Sequence, residues 1–351
     1  MRGRARRRAT SEKPLVYNMR PQGCQENGRS VNRLAHFPQI IDLKPVSTYT
    51  GLMNDRRVVL AVLLLAGLET AWSSPLFAQA IPKGLYVSVV DQARAPVPDV
   101  QPADLVVRED NVAREILRIA PADEPMQVAI LVDTSEAARE FIADIRRALP
   151  QLVDTLLASG RRNDIAIIGV GGRPVILTDY TRDRALLQKG IDLIWPQADS
   201  GNYLLSGIIE VTQGITRRKA TRPVIIAITT EGPEYSARSE DLVLTPLRDS
   251  GAAFHAFVLG PLSNDLGPDA HARAMVLGQG THDTGGDREI VLASAALPGR
   301  LKRLADELTH QYRVTYARPQ TLIPPERVTV GAARPGLTAR GTPIRDFQGR
   351  Q

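Results

Sequence analysis

The stretch that decides how the chain is read is Gln127-Val128-Ala129-Ile130-Leu131-Val132, followed at once by Asp133-Thr134-Ser135-Glu136-Ala137. A short apolar run without alternation is the pattern of a strand covered on both faces. Helical spacing takes over from Ala137 to Leu157, with Phe141, Ile142, Ile145, Leu149, Leu152 and Leu156 on one side. Pro150 marks a kink or a break in it. The same grammar then repeats. Buried-strand patterns occur at Asp164–Val170, Pro223–Thr229 and Ala253–Leu259, with a short one at Glu289–Leu292. Helical patterns occur at Arg182–Ile194, Leu204–Ile215, Glu240–Leu247 and Pro298–Leu308. Pro174–Thr178 reads as an edge strand, and 262–287, rich in Gly, Asp and His without a clear period, as a mobile surface loop. This alternation predicts a doubly wound, mostly parallel α/β sheet of Rossmann-like type.

Outward from that core the grammar is β. Leu85–Val90, Asp104–Arg108 and Ala113–Ile119 read as strands before it, and Tyr312–Tyr316 and Val328–Val330 after it. Each flank is too small to fold alone, so the two are expected to pair into one small β-rich subdomain around the inserted α/β domain. The expected organisation is a β-rich flank over 81–125, the α/β domain over 126–311, and a β-rich flank and tail over 312–351.

The beginning of the chain differs. Of its 351 residues, 43% are hydrophobic, 23% charged and 5% aromatic, a globular composition with a formal charge of +6. Residues 1–52 hold ten basic and three acidic side chains, whereas the other 299 hold 34 and 35. The basic balance thus belongs to the first 52 residues, and the folded part is not a basic nucleic-acid binder on charge. From Met53, a short basic start (Arg56-Arg57) leads into the uncharged run Val58–Leu68, which Glu69 ends; Ala78-Gln79-Ala80 follows. This is the layout of a signal peptide over 53–80, cleaved after Ala80. A spanning helix would need about 20 apolar residues. Residues 1–52 are then a disordered basic arm or a misassigned start upstream of Met53. The expected location is secreted or periplasmic, with no stable membrane span after cleavage. The single cysteine, Cys24, lies in the arm, which excludes a disulfide framework, a thiolate metal site or a cysteine nucleophile in the body.

Few constellations could carry chemistry. Gly169-Val170-Gly171-Gly172 follows a strand but leads to Pro174 and another strand, which argues against a dinucleotide loop. There is no phosphate loop and no nucleophile elbow. His255 sits in a buried-strand pattern and reads as a core residue, while His271 and His282 share the 262–287 segment with Asp269, Asp283 and Asp287 at spacings that match no metal template. The stronger signal is at strand ends, where open α/β sheets place their sites. Asp133 and Ser135 alternate along an extended backbone after the first buried strand, and Gly201-Asn202 and Thr230-Glu231-Gly232 are expected on the same edge. One carboxylate, one hydroxyl, one amide and one further carboxylate are a candidate oxygen set for Mg²⁺ or Ca²⁺. The competing reading makes Asp133 and Ser135 caps of the following helix.

These residues resemble a von Willebrand factor type A domain over about Gln127 to Tyr316. The resemblance implies a doubly wound sheet with a metal-ion-dependent adhesion site, whose motif runs Asp-x-Ser-x-Ser, then Thr, then Asp. Asp133 and Ser135 match. Ala137 stands at the third motif position and lacks the hydroxyl, Asn202 replaces Thr, and Glu231 replaces Asp. The implied site is therefore degenerate, with Asp133, Ser135, Asn202 and Glu231 as the metal set. The flanks are similar to those of bacterial secreted proteins of this type, in the Tyr312-Arg313 strand and Pro335-Gly336-Leu337. The implied function is a non-enzymatic extracytoplasmic protein-interaction or adhesion module with no cofactor beyond that cation. A metal-assisted hydrolase using Asp133 and Glu231, or a structural envelope protein with a vestigial site, are the alternatives.

Overall fold

The structure, a computed structural model, describes residues 80–262, 267–320, 323 and 325–345. The arm at 1–52, with Cys24, lies outside them, as does the leader at 53–80 except for Ala80.

Six strands form the central sheet: β5 (Met126–Val132), β6 (Asp164–Gly169), β7 (Val175–Thr181), β8 (Arg222–Thr230), β9 (Ala253–Leu259) and β10 (Arg288–Val291). Their spatial order is β10-β9-β8-β5-β6-β7. All neighbours are parallel except β7, which runs antiparallel on β6 at the edge. Numbered within the sheet this is 3-2-1-4-5-6, the doubly wound order, whose reversal lies between β5 and β8. Alternation along β5 shows why its sequence is apolar throughout. Val128, Ile130 and Val132 enter one core with α1 (Ile142–Ala158) and α6 (Leu297–Thr309). Ala129 and Leu131 enter the other core with α3 (Leu204–Arg218) and α4 (Glu240–Ser250). A further helix, α2 (Arg184–Asp192), adds Leu187 and Ile191 to the first core; Asp183 caps it by accepting from Ala185 and Leu186 N–H.

Two expectations change. The first helix begins at Ile142 rather than Ala137 and runs through Pro150 unbroken, after a separate 3₁₀ turn at Glu136–Ala138. The segment expected to be a mobile loop instead carries α5 (Pro268–Met275) and a π-helical turn at Val276–Gly280. Ala272, Val276 and Leu277 pack there into the second core. Burial of those three side chains against α4 outweighs the local glycines.

The flanks form the small β-rich subdomain. β1 (Ala80–Val90) pairs antiparallel with β11 (Tyr312–Pro319) and β13 (Thr338–Pro343), and β11 pairs with β4 (Ile116–Pro121). β2 (Leu105–Glu109) lies between β12 (Val328–Ala332) and β3 (Val112–Arg114). The strand expected over Ala113–Ile119 is thus divided between two sheets. Leu85, Val87, Val89, Leu105, Val107, Val314 and Tyr316 give this subdomain a core of its own. Among the described residues no helix is long and apolar enough to cross a membrane.

Candidate functional site

At the carboxyl end of β5, beside the order reversal, the strand ends interlock through their backbones. Asp133 N–H donates to Ile228 O (2.8 Å), Tyr203 N–H to Val170 O (2.7 Å) and Gly172 N–H to Gly201 O (3.0 Å). Asn202 N–H donates to Pro233 O (2.8 Å), and Tyr235 N–H to Asn202 O (2.7 Å). Four loops are joined in this way. Close approach explains two glycines: a Cβ on Gly171 would stand 2.3 Å from the Thr134 carbonyl carbon, and one on Gly201 would stand 2.3 Å from the Tyr235 ring. The glycines after β6 therefore serve backbone contact.

Asp133 is fully buried and anchors the site. Its Oδ1 accepts from Ser135 N–H (2.9 Å). Its Oδ2 accepts from Asn202 Nδ2 (2.9 Å), Thr230 N–H (3.1 Å) and Thr230 Oγ1 (2.7 Å). The Asn202 amide also donates to Thr229 Oγ1 (2.8 Å). A carboxylate offers about four acceptor positions; here three donors crowd Oδ2 and one meets Oδ1, which keeps an acceptor position. The capping reading fails for Ser135: it precedes only the 3₁₀ turn, its hydroxyl caps nothing, and its Oγ is buried without a partner, as is Asn202 Oδ1. Ala137 packs its methyl towards Gly232, where a Cβ would come within 2.4 Å of it.

Glu231 is placed differently from the sequence expectation. Its carboxylate accepts from Arg273 Nη2 (2.8 Å) and lies 3.5 Å from Arg288 Nη2. Arg273, on α5, is 1% exposed and also donates to Gly232 O. The structure therefore brings together Asp133, Ser135 and Asn202, while Glu231 faces two guanidinium groups. The four residues do not fit an octahedral cation. Asp133 Oδ2 is taken by three donors, the amide turns its NH₂ to that oxygen, and Glu231 is already neutralised by arginine, so of the four residues only Ser135 Oγ, Asn202 Oδ1 and one position on Asp133 Oδ1 stay without a partner.

Residues of this site that sequence reasoning passed over are Thr229, Glu234, Arg273, Tyr235 and Trp195. Arg273 was hidden by reading its helix as loop, although Ala272, Val276 and Leu277 carry a helical spacing. Glu234 is buried, accepts from Ser236 N–H (3.1 Å), and burial pushes its carboxyl up to about 7. Around this closed centre the surface is aromatic. Tyr235 is 55% exposed, edge-on to Tyr203, and Trp195 is 61% exposed with the Arg146 guanidinium 4.7 Å from its ring. The loop bearing Trp195 is tied to the site by Gln197 N–H donating to Thr134 O (2.8 Å).

No family model and no curated protein sequence matches the chain. Similar solved structures include a von Willebrand factor type A protein from Catenulispora acidiphila, 10% identical, covering 76% of this chain and 74% of its own, with a TM-score of 0.43. BatB from Bacteroides thetaiotaomicron is 14% identical over 52% of this chain and 98% of its own, with a TM-score of 0.40. The vWF domain of the type V pili tip protein Mfa5 from Porphyromonas gingivalis is 13% identical over 52% of this chain and 95% of its own, with a TM-score of 0.40. The strand order observed at β5–β10 is that of the doubly wound, mostly parallel α/β class which the sequence of residues 127–316 predicts.

Proposed function

We propose that this chain is a non-enzymatic, secreted or periplasmic protein-interaction module that docks a protein partner on the face above β5 and β8. The observation that carries the reading is the pair of exposed aromatic side chains, Tyr235 and Trp195, on loops fastened to the rigid centre at Asp133 and Asn202. Large aromatics held on a rigid base contribute contact area at low entropic cost, and they are enriched at protein interfaces. The same centre speaks against catalysis. Ser135 Oγ has no hydrogen-bonding partner, so no base activates it, and Asp133 Oδ2 is already taken by three donors.

Affinity capture from an envelope fraction tests the reading when run with the parent chain and with Tyr235→Ala/Trp195→Ala in parallel. A partner retained by the parent and lost by the double variant, at equal melting temperature, is the expected result. Equal capture by both would sink the assignment to this face. Turnover of a generic ester or phosphate panel, abolished in Ser135→Ala, would replace the proposal with an enzyme.

A further inference from the structure

Two side chains, Asn202 and Arg273, make the contacts that the cation expected from the sequence would make. Asn202 Nδ2 stands between Asp133 Oδ2 (2.9 Å) and Thr229 Oγ1 (2.8 Å), and Thr229 Oγ1 itself donates to Thr230 O (3.3 Å). Rotating the amide would set its oxygen against the carboxylate oxygen, so the NH₂ orientation is dictated by the network. Arg273, buried, joins Glu231 to Gly232 O. A divalent ion at a strand-end site would do two things. It would neutralise the carboxylates, and it would tie the loops that supply them. Here the amide ties the β5 end to the 199–203 loop, and the guanidinium neutralises the 230–236 loop and ties it to α5. The hydrogen bonds from Thr230 join the remaining pair of strands.

We infer that the site is a cation-independent lock, in which the Asn202 amide and the Arg273 guanidinium occupy the roles a divalent ion would otherwise fill. The inference concerns how the face is held together and stands whether or not that face docks a partner. Replacing the amide by a carboxylate removes two donors and sets a second anion at hydrogen-bonding distance from Asp133 Oδ2. Two carboxylates so placed need a proton or a cation between them. Asn202→Asp should therefore create a requirement for a divalent ion that the parent chain lacks.

The test is calorimetric titration and thermal melting of the full chain with Mg²⁺, Ca²⁺ and Mn²⁺ against chelator. The parent is expected to show no saturable heat and an unchanged melting temperature. Asn202→Asp is expected to melt lower in chelator and to recover by ~3 °C or more in Ca²⁺. Saturable binding to the parent that disappears in Asp133→Asn or Glu231→Gln would overturn the inference. So would an Asn202→Asp chain, folded or unfolded in chelator, that gains nothing from any of the three ions. If that variant fails to accumulate folded, refolding it with and without Ca²⁺ gives the same reading.

Discussion

Asp133 at the strand-end site and the carboxylates at the junction between the β-rich subdomain and the α/β sheet are buried in opposite ways. At the site, Asp133 is surrounded by neutral donors: two backbone N–H groups, one hydroxyl and one amide. At the junction the anions meet arginines contributed by the flanks. Arg94 pairs with Asp287 and Glu289, and Arg340 pairs with Glu307 (2.6 Å) and Asp287 (3.3 Å). Neutral donors fixed by the backbone hold a charge in one geometry and respond little to salt. Ion pairs between long side chains are screened by it and depend on both partners keeping their charge. The site is thus built for rigidity, and the junction for joining two separately cored bodies of chain.

The sharpest way to break this contrast is at Asp133. Asp133→Ala strips four donors of their acceptor in a buried setting and should lower stability by about 3 kcal/mol or more, with the same loss at low and high salt, read from denaturant unfolding. A loss under about 1 kcal/mol would mean that the centre is not rigidly organised around this carboxylate.

Next in size is the pH response of the junction. His255 is buried beside Glu307, Asp287 and Arg340, and desolvation lowers its pKa from 6.5 to about 4. Below pH 6.5 the unfolded chain takes up a proton that the folded chain refuses, so stability falls as pH drops from 6.5 to 4, by roughly 3 kcal/mol in all. His255→Leu should flatten that limb of the stability profile. Glu234, near the site, acts in the opposite sense. Its folded form keeps its proton up to about 7, against 4.5 in the unfolded chain. Stability is therefore lost as pH rises from 4.5 to 7, and Glu234→Gln should remove that slope while leaving the acid limb from His255. Chemical unfolding at successive pH values separates the two.

A smaller effect is expected at Arg222. This buried guanidinium donates to Ala122 O (3.2 Å), Leu308 O (2.6 Å) and Gln311 Oε1 (2.7 Å), and it lies 5.1 Å from the Tyr86 ring. It fastens the start of β8 to β1 and to the end of α6. Arg222→Met keeps the bulk and leaves those acceptors unpaired, at a cost of about 2 kcal/mol. The smallest change is Arg94→Ala, where the side chain is 40% exposed. It should cost under about 1 kcal/mol at low salt and nothing measurable at high salt. A salt-independent loss there would blur the distinction between the two regions.

The fold was legible because its carriers are long periodic segments. Runs such as Val128–Val132 and Val224–Ile228 are apolar at every position since both sheet faces are covered, and no tertiary contact was needed to see that. The helix at Pro268–Met275 was missed because its apolar positions are mostly alanines among polar residues, flanked by glycines, and its stability comes from packing into the second core. The convergence of Asp133, Ser135 and Asn202 could be anticipated from their places at strand ends, since a parallel sheet sends those ends to one edge. The partner of Glu231 could not, because Arg273 lies 42 residues further on, in a helix whose docking is a property of the packed core.

By itself, then, the order of apolar runs determined the doubly wound sheet and the edge on which its loops meet, because period and burial are local properties of sequence. Only the tertiary structure decided what those loops are to one another. Whether an oxygen faces a cation, an amide or a guanidinium depends on distances of about an ångström between residues far apart in the chain, and on which lone pairs are already taken.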